Sequence, residues 1–331
     1  MALYDLPLDQ LRVFRPEPAE PADFDEFWTT TLADARTHDL GVRAERLDGP
    51  LRAIDAWDVT FAGFGGHPVK AWLTRPAGAS EDLPVVVEYI GYGGGRGFAH
   101  ERLVWAAAGY AHLVMDTRGQ GGTWGAGGAT PDPAAATGPH TPGVMTMGIE
   151  SPRDHYYRRL ITDAVRATDA ARELPGVDAS RVAVTGGSQG GALTLAVAGL
   201  VPDLVAAMPD VPFLCCIRRA VELTGEYPYA EVTKYLSVRR DMVETVFGTL
   251  AYLDGVSFAR RARAQALFSV ALMDTICPPS TVFAAYNRYG EHAAADGAAP
   301  LRDIVEYPFN MHEGGQAHQV ERQLRWLAEH V

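Results

Sequence analysis

Apolar positions along the chain follow two different periods. Between 23 and 36, Phe24, Phe27, Trp28 and Leu32 recur at helical spacing, which predicts a helix with Asp23 as its N-cap. Residues 54–62 and 68–74 alternate instead, around a Gly-bearing turn at 63–66, and read as an antiparallel hairpin. From Pro84 onward short, continuous apolar runs are separated by helical stretches. Strands are predicted over 85–90, 111–116, 181–185, 203–211, 267–273 and 303–307. Helices are predicted over 99–108, 153–174, 192–200, 278–289 and 316–330. Residues 117–150, rich in Gly, Pro and Thr, form a long loop of the kind that often carries function. Residues 290–302 read as a mobile surface loop. Strands alternating with helices place the chain in the α/β class, with a mostly parallel, doubly wound sheet. Residues 1–50 form an N-terminal extension, and about 212–265 is a mostly helical insertion over the strand ends. No Pro/Ser-rich or charged linker divides the 331 residues, so a single domain is expected.

Composition narrows the partners. At 47% hydrophobic and 21% charged, the chain has ample material for a large core. A net charge of −12 argues against nucleic acid or an anionic membrane as the main partner. Three cysteines, two of them adjacent (Cys215 and Cys216, with Cys277), make no disulfide framework. No C-x-x-C or His/Cys cluster points to a metal, and no cofactor is implied. The first residues carry no basic, apolar leader and no run is long enough to span a bilayer, so a cytoplasmic, reduced protein is expected.

The chemistry centres on Thr185-Gly186-Gly187-Ser188-Gln189-Gly190-Gly191, directly after the apolar run Val182-Ala183-Val184. A strand, a sharp turn bearing a serine and then a helix make the nucleophile elbow of an α/β-hydrolase. Gly186 and Gly190 remove side chains that would collide around the serine. The helix N-terminus behind it favours developing negative charge. A serine hydroxyl needs a base, and the base needs an acid to fix its tautomer. In this fold the order along the chain is Ser, acid, His. Asp274, at the end of strand 267–273, and His312, after strand 303–307, fit those places. Asp274 also suits a cap for the helix starting near Pro278. Asp254 and Asp303 are weaker rivals because neither ends a buried strand, and His318 lies on the following helix. The oxyanion hole needs two preorganised N–H donors. The amides of Gln189 and of Tyr92, in Gly91-Tyr92-Gly93-Gly94-Gly95, are the candidates.

These residues resemble the acetyl xylan esterase/cephalosporin-C deacetylase family, carbohydrate esterase family 7. Its signatures stand here as Arg118-Gly119-Gln120, Gly186-Gly187-Ser188-Gln189-Gly190 and His312-Glu313. The resemblance extends through Ile90–Gly97, Tyr156-Tyr157-Arg158, Val211–Cys215, Leu253–Val256 and Asp274–Thr281. The 290–302 loop looks longer than usual for the family. The resemblance implies Ser188 as nucleophile, His312 as general base and acid, Asp274 as orienting acid, and Tyr92 and Gln189 as oxyanion donors. It implies substrates that are small acetyl esters: acetylated xylooligosaccharides, other acetylated sugars and the 3′-acetyl of cephalosporin C. It also implies a cytoplasmic homo-oligomer, a hexamer built as a trimer of dimers, and in some members peracid formation.

Arg118, Gly119 and Gln120 read as a structural motif that ties loops together by several hydrogen bonds. Trp124, Phe213 and Cys277 are candidates for lining an acetyl pocket. A peptidase or acyl-transfer enzyme of the same fold, and a catalytically silent binding protein, are the alternatives to an acetylesterase.

Overall fold

The computed structural model describes residues 3–135 and 143–331, so part of the predicted 117–150 loop lies outside the described residues. Its strands are β1 (Arg43–Arg46), β2 (Ile54–Ala62), β3 (Pro68–Pro76), β4 (Leu83–Tyr89), β5 (Ala111–Met115), β6 (Val177–Gly187), β7 (Ala206–Asp210), β8 (Gln265–Ala271) and β9 (Arg302–Tyr307). They form one sheet in the order β1-β2-β3-β5-β4-β6-β7-β8-β9. The hairpin side is antiparallel through the β3–β5 pair, and every pair from β5 to β9 is parallel.

The parallel strands are continuously apolar because helices cover both faces of the sheet. Within β4, Val85, Val87 and Tyr89 belong to one core cluster and Val86 to another. Val182 and Val184 part from Ala183 in β6 in the same way, as do Ala266 and Phe268 from Leu267 in β8. Strand side chains alternate between faces, so each strand builds two cores at once. Helices Tyr156–Ala171 and Gln189–Leu200 close the larger core. Trp326 and Leu327 of the last helix, Gln316–His330, close the other.

The sheet order positions the site. β4 and β6 are neighbours, yet the chain leaves β4 on one side to form β5 and returns on the other to form β6. That reversal opens a crevice at the carboxyl ends of β4 and β6, where open α/β sheets bind ligands. The register pairs Tyr89 with Gly186, so the glycine-rich loop after β4 and the serine turn after β6 emerge side by side.

Several local expectations are corrected. Residues 43–46, assigned to an irregular extension, form the edge strand β1. Its Arg, Ala, Glu, Arg sequence has no apolar alternation to reveal it, because only Ala44 of the four packs against the core. The helix over 99–108 is two short turns, Ala99–Glu101 and Val104–Ala107. The 290–302 segment contains the helical turn Glu291–Ala295, which buries Ala293 and is braced by Arg260 Nε at 2.9 Å from Glu291 Oε2. Asp23 precedes helix Phe24–Arg36 but caps no amide; its carboxylate accepts from the Tyr252 hydroxyl at 2.6 Å. The stretch between β7 and β8 holds helices Ile217–Leu223, Tyr229–Val238, Val243–Leu250 and Gly255–Arg261. The last of these is an ordinary crossover helix packed on Gln189–Leu200. A Cβ at Gly199 would lie 2.5 Å from the Phe258 carbonyl oxygen. Among the described residues no helix is long and apolar enough to cross a membrane.

Candidate active site

The turn after β6 is strained at its centre. Ser188 has φ 57° and ψ −117°, a conformation non-glycine residues adopt only where their surroundings impose it. Two features impose it here. A Cβ on Gly190 would lie 2.1 Å from the Tyr89 carbonyl oxygen, so only glycine lets the helix approach β4. The Ser188 amide donates to the Asp210 carbonyl at 2.9 Å, and the Ser188 carbonyl accepts from Ala192 and Phe213, each at 3.0 Å. The serine is thereby lifted to the N-terminus of helix Gln189–Leu200 and faces a cavity of about 1190 Å³.

His312 lines the same cavity. Its Nδ1 is 2.8 Å from Asp274 Oδ2, which fixes Nδ1 as the protonated nitrogen and leaves Nε2 free to accept. Asp274 is fully buried. β8 ends at Ala271, and Asp274 stands in the turn after it rather than on the strand end. Its Oδ1 accepts from the amides of Ile276 (2.8 Å) and Cys277 (2.9 Å). The carboxylate therefore holds the imidazole with one oxygen and the turn before helix Pro279–Arg288 with the other; it does not cap that helix, whose N-cap is Pro278. Glu313 braces the histidine loop, accepting from Asn310 Nδ2 at 2.9 Å and from the Met311 amide at 3.1 Å. Among the described residues the Ser188 hydroxyl makes no hydrogen bond to His312; it lies against the Cys277 thiol. Such contacts commonly tighten only once substrate is bound.

Among the described residues the amides of Tyr92 and Gln189 have no protein acceptor, although Gln189 is buried. Two unpaired N–H groups beside a serine at a helix N-terminus can hold a negatively charged oxygen. The Gln189 side chain ties the two loops together. Its Nε2 donates to the Ile90 carbonyl at 3.1 Å, and its Oε1 accepts from Gln120 Nε2 (2.9 Å) and the Tyr157 hydroxyl (3.0 Å). Gln120 Oε1 in turn accepts from the Gly93 amide at 2.6 Å.

Beneath this network Arg118 is completely buried. Its guanidinium meets both oxygens of Asp163, with Nη2 to Oδ1 at 2.7 Å, and Asp132 Oδ1 at 3.3 Å. Asp132 is shared with Arg159 at 2.8 Å, and Asp163 Oδ1 also accepts from the Phe64 amide at 2.9 Å. Burial works to lower the Arg118 pKa, but the two carboxylates more than offset it and the group stays charged. Gly119, at φ 65°, turns the chain so that Arg118 points down and Gln120 points across.

Of the three pocket candidates, Trp124 lies on the cavity rim, with its indole nitrogen donating to the Tyr92 carbonyl at 2.7 Å. Phe213 and Cys277 do not line the cavity. Phe213 is buried against Tyr229, with ring centroids 4.4 Å apart, and Cys277 is buried behind Ser188. Their places on the wall are taken by neighbours the sequence did not mark, Val211 and Ile276. Asp274, Cys277 and His312 also bring ligand atoms within 4.8 Å of one another. Two of those atoms are committed to each other, and burial, reinforced by the Asp274 charge, pushes the Cys277 thiol well up and away from the thiolate a metal needs. Sequence reasoning missed two carboxylates on the cavity wall, Asp210 and Glu231.

Comparison with known proteins bears on the family and the fold. The family model described as Acetyl xylan esterase (AXE1) matches residues 1–330. The acetyl esterase Axe7A of Xylanibacter ruminicola is 28% identical over 287 residues, which is 83% of this chain; the chain spans 62% of that relative's length. The solved acetyl xylan esterase of Paenibacillus sp. R4 is 38% identical, with a TM-score of 0.89 over 98% of this chain and 100% of its own. Acetyl xylan esterase 1 of Thermoanaerobacterium sp. JW/SL YS485 is 30% identical, with a TM-score of 0.87 over 98% and 99%.

Proposed function

The chain belongs to the acetyl xylan esterase family, and from that premise we propose that it is a serine esterase removing acetyl groups from small acetylated sugars. The observation that carries the reading is the pairing of His312 with buried Asp274 on the same cavity as a serine elbow. Ser188 Oγ attacks the acetyl carbonyl while His312 Nε2 takes its proton. Asp274 holds the Nδ1 proton and stabilises the imidazolium. The tetrahedral oxyanion rests on the Tyr92 and Gln189 amides. His312 passes its proton to the departing sugar alkoxide, leaving an acetyl-enzyme. A water that gives its proton to His312 attacks that intermediate and releases acetate.

The cavity is far larger than an acetyl group, which suits an acetylated xylooligosaccharide or the 3′-acetyl of cephalosporin C. The net charge of −12 disfavours polyanionic substrates. By resemblance to its family the protein is a cytoplasmic homohexamer, and sedimentation at micromolar concentration should give six times the chain mass; a monomer would contradict that part of the reading. For the chemistry, Ser188→Ala should fold normally and lose turnover by a factor on the order of a million. Labelling of Ser188 by a fluorophosphonate should follow the same pattern. Esterase activity retained by the variant would overturn the mechanism.

A further inference from the structure

The Gly91–Gly95 loop has a problem to solve. Four of its five residues are glycine, and holding one residue's backbone in a single conformation costs about 1–2 kcal/mol. An oxyanion donor is useful only if it is already in place when charge develops. Gln120 fixes the loop at the Gly93 amide, and Trp124 fixes the Tyr92 carbonyl. A third anchor acts through the Tyr92 side chain, and it comes from outside the sheet.

The Tyr92 phenol has its full complement of hydrogen bonds. It donates to Glu231 Oε1 at 2.5 Å and accepts from the amides of Gly143 and Val144, each at 3.1 Å. Glu231 Oε2 accepts from the Met145 amide at 3.0 Å. Glu231 sits on helix Tyr229–Val238 of the insertion between β7 and β8. One carboxylate therefore joins the loop after β4, the turn at 143–145 and the insertion. Hydrogen bonds to an ionised acceptor are shorter and about twice as strong as neutral ones, which suits a single anchor point.

We infer that Glu231 is a positioning residue that holds the Tyr92 amide in the oxyanion hole by gripping the Tyr92 phenol. This rests on the reading of the Tyr92 amide as an oxyanion donor. The insertion is then part of the catalytic scaffold as well as the cavity wall, and any displacement of its helix reaches the reacting oxygen through one tyrosine side chain. The donor is a backbone amide, so Tyr92→Phe keeps the donor and removes the hydroxyl with its bonds to Glu231, Gly143 and Val144, whereas Glu231→Ala leaves that hydroxyl and removes the grip.

The test uses the full-length protein with 4-nitrophenyl acetate, comparing wild type, Tyr92→Phe, Glu231→Gln, Glu231→Ala and Ser188→Ala. Tyr92→Phe and Glu231→Ala should lower kcat by on the order of tenfold to a hundredfold, with KM changed by less than about threefold. Glu231→Gln keeps an acceptor for the phenol but sets an amide N–H against Met145, so it should fall between Glu231→Ala and wild type. The inhibition constant of a trifluoromethyl ketone, whose serine adduct carries an oxyanion, should rise in step with the loss of kcat. A purely structural role would lower thermal stability and leave the kcat ratio and the inhibitor ratio uncorrelated. Should Glu231→Ala fail to fold, Tyr92→Phe and Glu231→Gln decide the matter. Wild-type kcat in both, with Ser188→Ala inactive, would overturn the inference and leave the esterase reading standing. An active Ser188→Ala would instead overturn that reading.

Discussion

Asp210 shows how one residue can couple the site to the solvent. It ends β7, gives its carbonyl to the Ser188 amide and lines the cavity. Gln319 Nε2 donates to Oδ1 at 3.0 Å and Gln323 Nε2 to Oδ2 at 2.7 Å. Burial pushes this carboxyl up to about 7; the donors from Gln319 and Gln323 pull the other way, and the charge on Glu88 adds to the rise. The folded chain thus holds this proton more tightly than the unfolded chain does. Its stabilising contribution is complete below the ordinary aspartate range and is lost as pH rises through 7. Asp210→Asn should remove that dependence. Melting temperatures measured from pH 4 to 8 should converge or cross between wild type and variant, and parallel curves would contradict the assignment. No sequence pattern announces Asp210, since an aspartate after Ala-Ala-Met-Pro looks like any strand end. The convergence of Ser188, Asp274 and His312 on one site was legible because each stands in local grammar: a Gly-flanked turn, the turn just past a buried strand and a loop before the last helix. Glu231 was hidden for the opposite reason. Its partners lie 139 and 86 residues away, and on its own helix it resembles a solvated charge.

At the scale of the element, the serine turn is where backbone geometry and function are least separable. Gly190→Ala forces a Cβ to within 2.1 Å of the Tyr89 carbonyl, so helix and β4 must part and Ser188 must leave its strained conformation. The variant should lose activity and, by urea titration, about 3 kcal/mol of stability. Near-native values for both would show that the close approach is not needed. The elbow, the hairpin and the central strands were readable because each has a strong period or an obligatory glycine. Elements set by tertiary contact were not. β1 is short and charged, as edge strands are where they must resist pairing with another chain. The turn at Glu291–Ala295 is held by arginines from helices Gly255–Arg261 and Pro279–Arg288, the first of them distant in sequence. Phe213 and Cys277 sit within two residues of wall residues, Val211 and Ile276, and a shift of one or two positions decides which side chain faces the cavity; spacing alone does not resolve that.

For the molecule as a whole, the Arg118 network joins parts that the sequence keeps far apart: the loop after β5, helix Tyr156–Ala171 and the hairpin turn at Phe64. Two arginines and two aspartates neutralise one another beneath the site. Removing one member leaves a buried charge uncompensated, which costs about 3–5 kcal/mol. Arg118→Leu should therefore lower the denaturation midpoint sharply. Its activity loss should exceed what unfolding explains, because Gln120 would no longer be held against Gly93 and Gln189. Full activity in the fraction that remains folded would separate the network from the site. The sequence marked Arg118, Gly119 and Gln120 as structural, but their partners Asp132 and Asp163 belong to a long loop and a long helix with no pattern of their own. The cavity was likewise unreadable, because its walls come from the sheet, the insertion and the last helix together.

The central claim is that this cavity deacetylates sugars through Ser188. The most direct measurement is acetate release from acetylated xylooligosaccharides by wild type and Ser188→Ala side by side. Release by the wild type and none by the folded variant is the predicted result. Release by both, or by neither while 4-nitrophenyl acetate is still cleaved, would contradict the claim.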